Sequence, residues 1–384
     1  MKRIQELLSR CEARPERAGD EVRAFIREHT FPLFDNDTAI FFFYDERSFD
    51  AIHLIHWVFG LESRQAFIPL GSTGAWYLPL ELPHTARVEY KLELSRGGHR
   101  LWIRDPFNPH RAFDPFGSNS VCPMPGYHEP RWAFEEEGVR PGTKETIGVK
   151  TEVYGGEREV QVYLPSEYKP HKKYPLLICH DGRDYLRFAA IKNVLDNLIQ
   201  RHEVAPLIVA FTSGVDRNRE YGANPKQPAF LVDELLPAVR RQFGVADGPE
   251  NLGLMGASFG GVSSLYTAWS RPGVFGKLLL QSGSFVHTDV GRHDRGPLFD
   301  PVVDFVNAYR ADPTRIRAAR VFMSCGTFES LIWFNRSLRA LMMDHGLDIR
   351  FVEAQDGHNW FAWRDRLRDG LTWLFPGHLW MYYD

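Results

Sequence analysis

Asn251-Leu-Gly-Leu-Met-Gly-Ala-Ser-Phe-Gly-Gly261 joins an apolar run, Leu252-Gly-Leu-Met255, to a Gly-x-Ser-x-Gly turn, and Val262-Ser-Ser-Leu-Tyr-Thr-Ala-Trp269 then reads as a helix. A serine at the apex of a strand–turn–helix unit occupies a strained backbone conformation. Side chains two positions to either side would collide there, and glycines at 256 and 260 remove the collisions. The hydroxyl of Ser258 is then exposed above the sheet edge. The helix behind it aims its first N–H groups at the spot where an oxyanion would develop. A glycine-rich turn with an incidental serine is the plain alternative. The correct flanks on both sides favour a nucleophile.

Working outward, short apolar strands alternate with helical patterns. Residues 174–179, 206–211, 278–281, 321–325 and 349–354 read as strands. Helices are expected over 186–199, through Leu231, Leu235, Leu236 and Val239, over about 331–345, and over 360–374. Two further strands, near 144–154 and 158–164, lead in. Such alternation implies a parallel sheet covered on both faces. With an antiparallel pair in front and the serine in mid-series, the order is that of an α/β-hydrolase domain, assigned to residues 136–384.

Ahead of it, residues 1–30 read as two short helices, and then the period becomes strand-like. Ala39-Ile-Phe-Phe-Phe-Tyr44, residues 51–58 and residues 75–82 are candidate strands. Val88, Tyr90, Leu92 and Leu94 alternate with polar residues up to a turn at Arg96-Gly-Gly98, which marks a hairpin. Residues 105–130, rich in Pro and Gly, read as loop. These signals predict a β-sandwich domain over 1–135, with the linker near 132–141.

Composition narrows the function classes. The chain has 384 residues, enough for two domains, and a formal net charge of −3, which marks neither a nucleic-acid nor a membrane-surface binder. The four cysteines, Cys11, Cys122, Cys179 and Cys325, are scattered without metal-ligand spacing and read as free thiols. No apolar run approaches roughly 18 residues, and the first ten residues carry no signal-peptide core. A cytoplasmic protein without metal or cofactor is expected.

A serine hydroxyl needs a base to take its proton, and the base needs a third group to orient it. Among the later histidines, His287 and His293 follow the wrong strand, His345 looks like a last-turn helix residue, and His378 comes too late. His358, in Asp356-Gly-His-Asn359 after the last strand, is the candidate base. The acid should follow the strand 321–325, where Glu329 is the one carboxylate in Gly326-Thr-Phe-Glu-Ser330. Asp356 is the alternative, although it lies close in sequence to reach the far ring nitrogen. Oxyanion donors are expected from the N–H of Phe259 and from the loop His180-Asp-Gly-Arg183, with Gly182 and Arg183 as the candidates.

At these residues the chain resembles the enterobactin esterase family, within the esterase D type of α/β-hydrolases. The stretches that carry the resemblance are His180-Asp-Gly-Arg-Asp184, Arg217-Asn-Arg-Glu-Tyr221, Gly256-Ala-Ser-Phe-Gly-Gly261, Gln281-Ser-Gly-Ser-Phe285, Gly326-Thr-Phe-Glu329 and Gly357-His-Asn-Trp360. Asn359 departs from the aspartate that the family usually carries after its histidine. The resemblance implies an immunoglobulin-like front domain, a Ser-His-Glu esterase and a small-molecule ester substrate of the siderophore class. Arg217, Arg219 and His180 are the substrate contacts it suggests. A general aryl, feruloyl or acetyl carboxylesterase is the alternative enzyme. A non-catalytic glycan binder, with Trp57, Trp76 and Trp102 as its platform, is the alternative from another class.

Overall fold

In the computed structural model, residues 1–289, 291–316 and 320–377 are described. The chain divides into two units. The first comprises Met1–Glu129 together with two short returns of the chain, Gly326–Glu329 and Ala354–Asn359; the second holds the rest.

The first unit opens with α1 (Lys2–Ala13) and α2 (Ala18–Glu28). Their apolar stripes, Ile4, Leu7 and Cys11 on one and Val22 and Phe25 on the other, are buried. Ten strands follow: β1 (Leu33–Asp35), β2 (Thr38–Tyr44), β3 (Ala51–His56), β4 (Arg64–Ala66), β5 (Ile68–Pro69), β6 (Ala75–Glu81), β7 (Arg87–Arg96), β8 (His99–Ile103), β9 (Arg111–Asp114) and β10 (Gly117–Pro123). They form a four-stranded sheet, β1-β2-β6-β5, and a six-stranded sheet, β4-β3-β7-β10-β9, with β8 also on β7. Every strand pair in both sheets is antiparallel. Strand β2 explains its unbroken apolar run. Ala39, Phe41 and Phe43 enter the core shared with Leu54, Val88, Tyr90 and Leu92 of the larger sheet. Ile40 and Phe42 face the other way, against the helices.

The 105–130 stretch is not all loop. Strands β9 and β10 form a hairpin inside it, and β10 pairs with the start of β7 through Ser120 opposite Tyr90 and Cys122 opposite Val88. Asp114-Pro-Phe-Gly117, read as a loop signal, is only the hairpin turn, closed by the Phe116 N–H donating to the Asp114 carboxylate at 2.7 Å. Strand β10 is mostly polar (Gly-Ser-Asn-Ser-Val-Cys-Pro), so its sequence carries no apolar alternation.

The second unit is built on one eight-stranded sheet. Its strands are β11 (Thr143–Lys150), β12 (Glu157–Leu164), β13 (Leu176–Cys179), β14 (Ile208–Phe211), β15 (Leu252–Ala257), β16 (Lys277–Gln281), β17 (Arg320–Gly326) and β18 (Asp348–Ala354). They run in the order β11-β12-β14-β13-β15-β16-β17-β18. β11 and β12 enter antiparallel, whereas β13 through β17 pair in parallel. This is the α/β-hydrolase arrangement. The fully buried residues of β13, β14 and β15 account for their continuous apolar sequence.

Two expected helices are each broken. Residues 182–200 form α3 (Gly182–Phe188) and α4 (Ile191–Gln200), separated by Ala190 at φ 47°. The final pattern divides into α11 (Trp360–Arg364) and α12 (Leu367–Leu374). Between them in the chain come α5 (Arg217–Tyr221), α6 (Lys226–Ala229), α7 (Leu236–Gln242), α8 (Phe259–Ser270), α9 (Asp300–Ala311) and α10 (Ile332–Asp344). Among the described residues, no helix is long and apolar enough to cross a membrane.

Candidate active site

Strand β15 ends at Ala257, helix α8 begins at Phe259, and Ser258 alone makes the turn, at φ 57° and ψ −121°. A positive φ on a residue with a β-carbon costs about 1–3 kcal/mol and persists only where the surroundings impose it. Here the Ser258 N–H donates to the Gln281 carbonyl at 2.9 Å, and the Ser258 carbonyl accepts from Gly261, Val262 and Ser284. Gly256 is obligatory in this turn, because a β-carbon there would stand 2.5 Å from the Gly260 carbonyl carbon. Gly260 is less constrained, since its β-carbon would meet His180 at 3.3 Å. The Ser258 hydroxyl lies 3.2 Å from that of Ser284 in the loop after β16. Sequence reading quoted Ser284 within a matching stretch but gave it no role.

The loop after β13 is also tied down. His180, expected to touch substrate, is wholly buried. One ring nitrogen lies 2.9 Å from the Met255 carbonyl and the other 2.9 Å from the Ser263 hydroxyl. Burial pushes its pKa down to about 4, so it is a neutral brace beneath α8 and not a substrate contact. Arg217 grips the buried Asp181 carboxylate in a fork, Nε and Nη2 each at 2.7 Å. Its guanidinium is therefore mostly engaged, whereas Arg219 is exposed. Of the two donors expected here, the Gly182 N–H is committed to the Thr212 carbonyl at 2.8 Å. Arg183 is the second residue of α3 and has its side chain turned toward Glu159.

The remaining candidates lie in the first unit. His358 Nδ1 stands 2.6 Å from Glu329 Oε2. The other oxygen of Glu329 accepts the Gly326 N–H at 2.8 Å, and the residue is only 3% exposed. The His358 side chain is 37% accessible. The alternative acid, Asp356, is engaged differently. It accepts from Asn359 Nδ2 at 2.8 Å, from the Gly357 N–H at 2.7 Å, and from Arg87 at 3.2 and 3.3 Å. Burial raises its pKa to about 6, with Arg87 pulling it back down. Sequence reading missed Arg87, and no motif marks an arginine at the start of a strand some 270 residues away.

The other histidines fall where their local signals put them or outside view. His345 ends α10 with its ring nitrogen 2.8 Å from the Leu341 carbonyl, His293 pairs with Asp300, and His378 lies outside the described residues. Trp57 and Trp102 are half exposed, but Trp76 packs on the core between the sheets, so the three indoles share no platform. The Trp102 indole N–H is held by Glu93 at 2.9 Å.

Residues 151–374 match the profile of a family described as putative esterase. Over 347 residues the chain is 26% identical to the iron(III) enterobactin esterase of Dickeya dadantii, an alignment covering 82% of this chain and 80% of that protein. It is 23% identical to the endo-1,4-beta-xylanase/feruloyl esterase of Xylanibacter ruminicola, covering 70% of this chain but 36% of that one. In structure it is similar to the ferric enterobactin esterase of Salmonella typhimurium, with a TM-score of 0.75, 21% identity, and coverage of 92% of this chain and 98% of that one.

Proposed function

The chain belongs to the esterase family, and from that premise we propose that it is a serine carboxylesterase in which Ser258 attacks, His358 is the base and Glu329 orients the base. The observation that carries this reading is Ser258 held at positive φ between β15 and α8. Only a turn of that kind presents a hydroxyl above a sheet edge with a helix N-terminus behind it. The 2.6 Å contact between His358 and Glu329 supports the other two roles. The three residues follow β15, β17 and β18, strands of one sheet, in the order Ser, acid, His.

In the proposed reaction the Ser258 oxygen adds to the ester carbonyl while His358 Nε2 takes its proton. The Glu329 carboxylate, at Nδ1, stabilises the imidazolium that forms. The N–H groups of Phe259 and Arg183 stabilise the oxyanion, Gly182 being engaged elsewhere. Collapse expels the alcohol, protonated by His358, and leaves an acyl-serine. Water, deprotonated by the same imidazole, then releases the acid.

We assign the substrate to catecholate siderophore esters of the enterobactin type. The alignment with the Dickeya dadantii enzyme spans most of both chains, whereas the feruloyl esterase match leaves most of that protein unaligned. We read the front sandwich as immunoglobulin-like and the protein as cytoplasmic. The buried thiols of Cys11, Cys122 and Cys179 suit a reducing compartment.

The test is a hydrolysis panel of p-nitrophenyl acetate, methyl ferulate and enterobactin, run on the parent and on Ser258→Ala. Enterobactin should be the best substrate by kcat/KM. Ser258→Ala should lose about 10⁶-fold on all three without a change in melting temperature. Preference for methyl ferulate would move the assignment to the feruloyl class, and turnover by Ser258→Ala within about tenfold of the parent would refute the nucleophile.

A further inference from the structure

Arg87, the first residue of β7, is 2% exposed and carries a guanidinium with an unusual set of partners. Nη1 reaches both Asp356 oxygens, at 3.2 and 3.3 Å, and the Asn359 side-chain oxygen at 3.1 Å. Nη2 donates to Glu89 at 2.9 Å. The backbone joins in, with the Arg87 N–H donating to the Gln355 carbonyl at 2.9 Å and the Thr85 hydroxyl bonded to the Gln355 side chain. Residues 355, 356 and 359 are thus all held from the sandwich, and His358 sits between the held positions.

The loop carrying the acid is fixed in the same way. The Phe328 N–H donates to the Asp356 carbonyl at 3.2 Å, and the Phe328 carbonyl accepts the Phe59 N–H, next to β3, at 2.8 Å. Thr327 N–H donates to Ala354 at 2.7 Å. Asp356 is therefore the pin of this corner. Its carboxylate closes the turn through Gly357 and Asn359, and its carbonyl anchors the acid loop. A buried carboxylate can serve this way only while a cation faces it. Arg87 supplies that cation, with Nη1 serving Asp356 and Asn359 while Nη2 serves Glu89, a span between two nitrogens that the single nitrogen of an ammonium does not have.

We infer that Arg87 is a positioning residue for the base: through Asp356 and Asn359 it sets where the imidazole of His358 stands, although it touches neither substrate nor the reacting atoms. The inference rests on His358 being the base. A β-strand some 270 residues from the base in sequence thereby fixes the orientation of the base. A base misplaced by about 1 Å loses on the order of 10²-fold in rate.

The experiment is a double-mutant cycle on the full chain with p-nitrophenyl acetate, using Arg87→Lys, His358→Ala and their combination. Arg87→Lys keeps the charge but loses the fork. It should lower kcat about 10²-fold with KM unchanged and the melting temperature close to the parent's. In the His358→Ala background the same change should cost nothing further, since there is no base left to position. An equal loss in both backgrounds would overturn the inference while leaving His358 as base. Parent-like activity in His358→Ala alone would instead refute the base assignment. If Arg87→Lys fails to fold, Arg87→Met combined with Glu89→Gln and Asp356→Asn removes the buried charges together. A folded triple variant should remain at least about 10²-fold slow, and full kcat in it would show Arg87 to be no more than a counter-ion.

Discussion

The corner holding Ser258 and the corner holding His358 are built on opposite plans. Around Ser258 everything is local to the second unit. One turn, two glycines, the first N–H groups of α8 and a bond to the neighbouring β16 complete it, and no charge is buried in the turn itself. The corner holding His358 and Glu329 depends on distant chain. Arg87, Glu89 and Phe59 of the first unit meet two short loops from the far end of the sequence, and ions are buried there to hold them. The first corner is fixed by backbone sterics, which demand particular residues at particular positions. The second is fixed by a charge network, whose members are replaceable only in concert.

The contrast can be broken first at the elbow. If sterics govern it, Gly256→Ala should be severe and Gly260→Ala mild, because only the former drives a β-carbon to 2.5 Å from backbone that has no room to yield. The expected loss is about 3 kcal/mol for the first and below about 1 kcal/mol for the second, read from thermal melts of the two variants. Equal shifts would mean that the turn relaxes, and that its strain is not what presents the serine.

A smaller effect sharpens the electrostatic side. Asp105 is buried in the first unit, accepting the Tyr90 hydroxyl at 2.6 Å and the Phe107 N–H at 2.9 Å, and burial raises its pKa to about 6. The folded state therefore holds this proton more tightly than the unfolded chain. The resulting stability is complete below about pH 4 and is lost as pH rises through about 6. Asp105→Asn cannot titrate, so its stability relative to the parent should climb between pH 4 and pH 7. The climb should be on the order of 2 kcal/mol, measured by denaturant unfolding at each pH. A flat difference would show that the carboxylate is ionised at no cost in the fold.

The same division explains what could be seen in the sequence. The elbow was legible because its requirements are local: an apolar run, two glycines and a helix pattern sit within about twenty residues, and the structure has β15, Ser258 and α8 in that order. The doubly covered strands of the sheet were legible for a similar reason, since burial on both faces leaves a continuous apolar signature. Strands β9 and β10 were not, because a polar strand between Pro and Gly signals loop by composition and becomes a strand only through pairing with β7. The breaks at Ala190 and between α11 and α12 carry no proline or helix-ending glycine to announce them. His180 shows the opposite difficulty: a histidine next to an aspartate and glycine looks functional, yet in the fold it is wholly buried. Arg87 was invisible, since nothing near it in sequence needs it. Its partners lie about 270 residues on and are brought to it by the fold.

The most direct test of the serine mechanism is covalent labelling of the full chain by a fluorophosphonate, followed by peptide mapping and rate measurement. One adduct is expected, on Ser258, because only an activated hydroxyl displaces fluoride at a useful rate. Glu329→Gln should label the same residue roughly 10⁴-fold more slowly, as expected when the base loses the carboxylate that orients it. An adduct on Ser284, 3.2 Å away, or equal labelling rates in parent and variant, would contradict the assignment of nucleophile, base and acid made here.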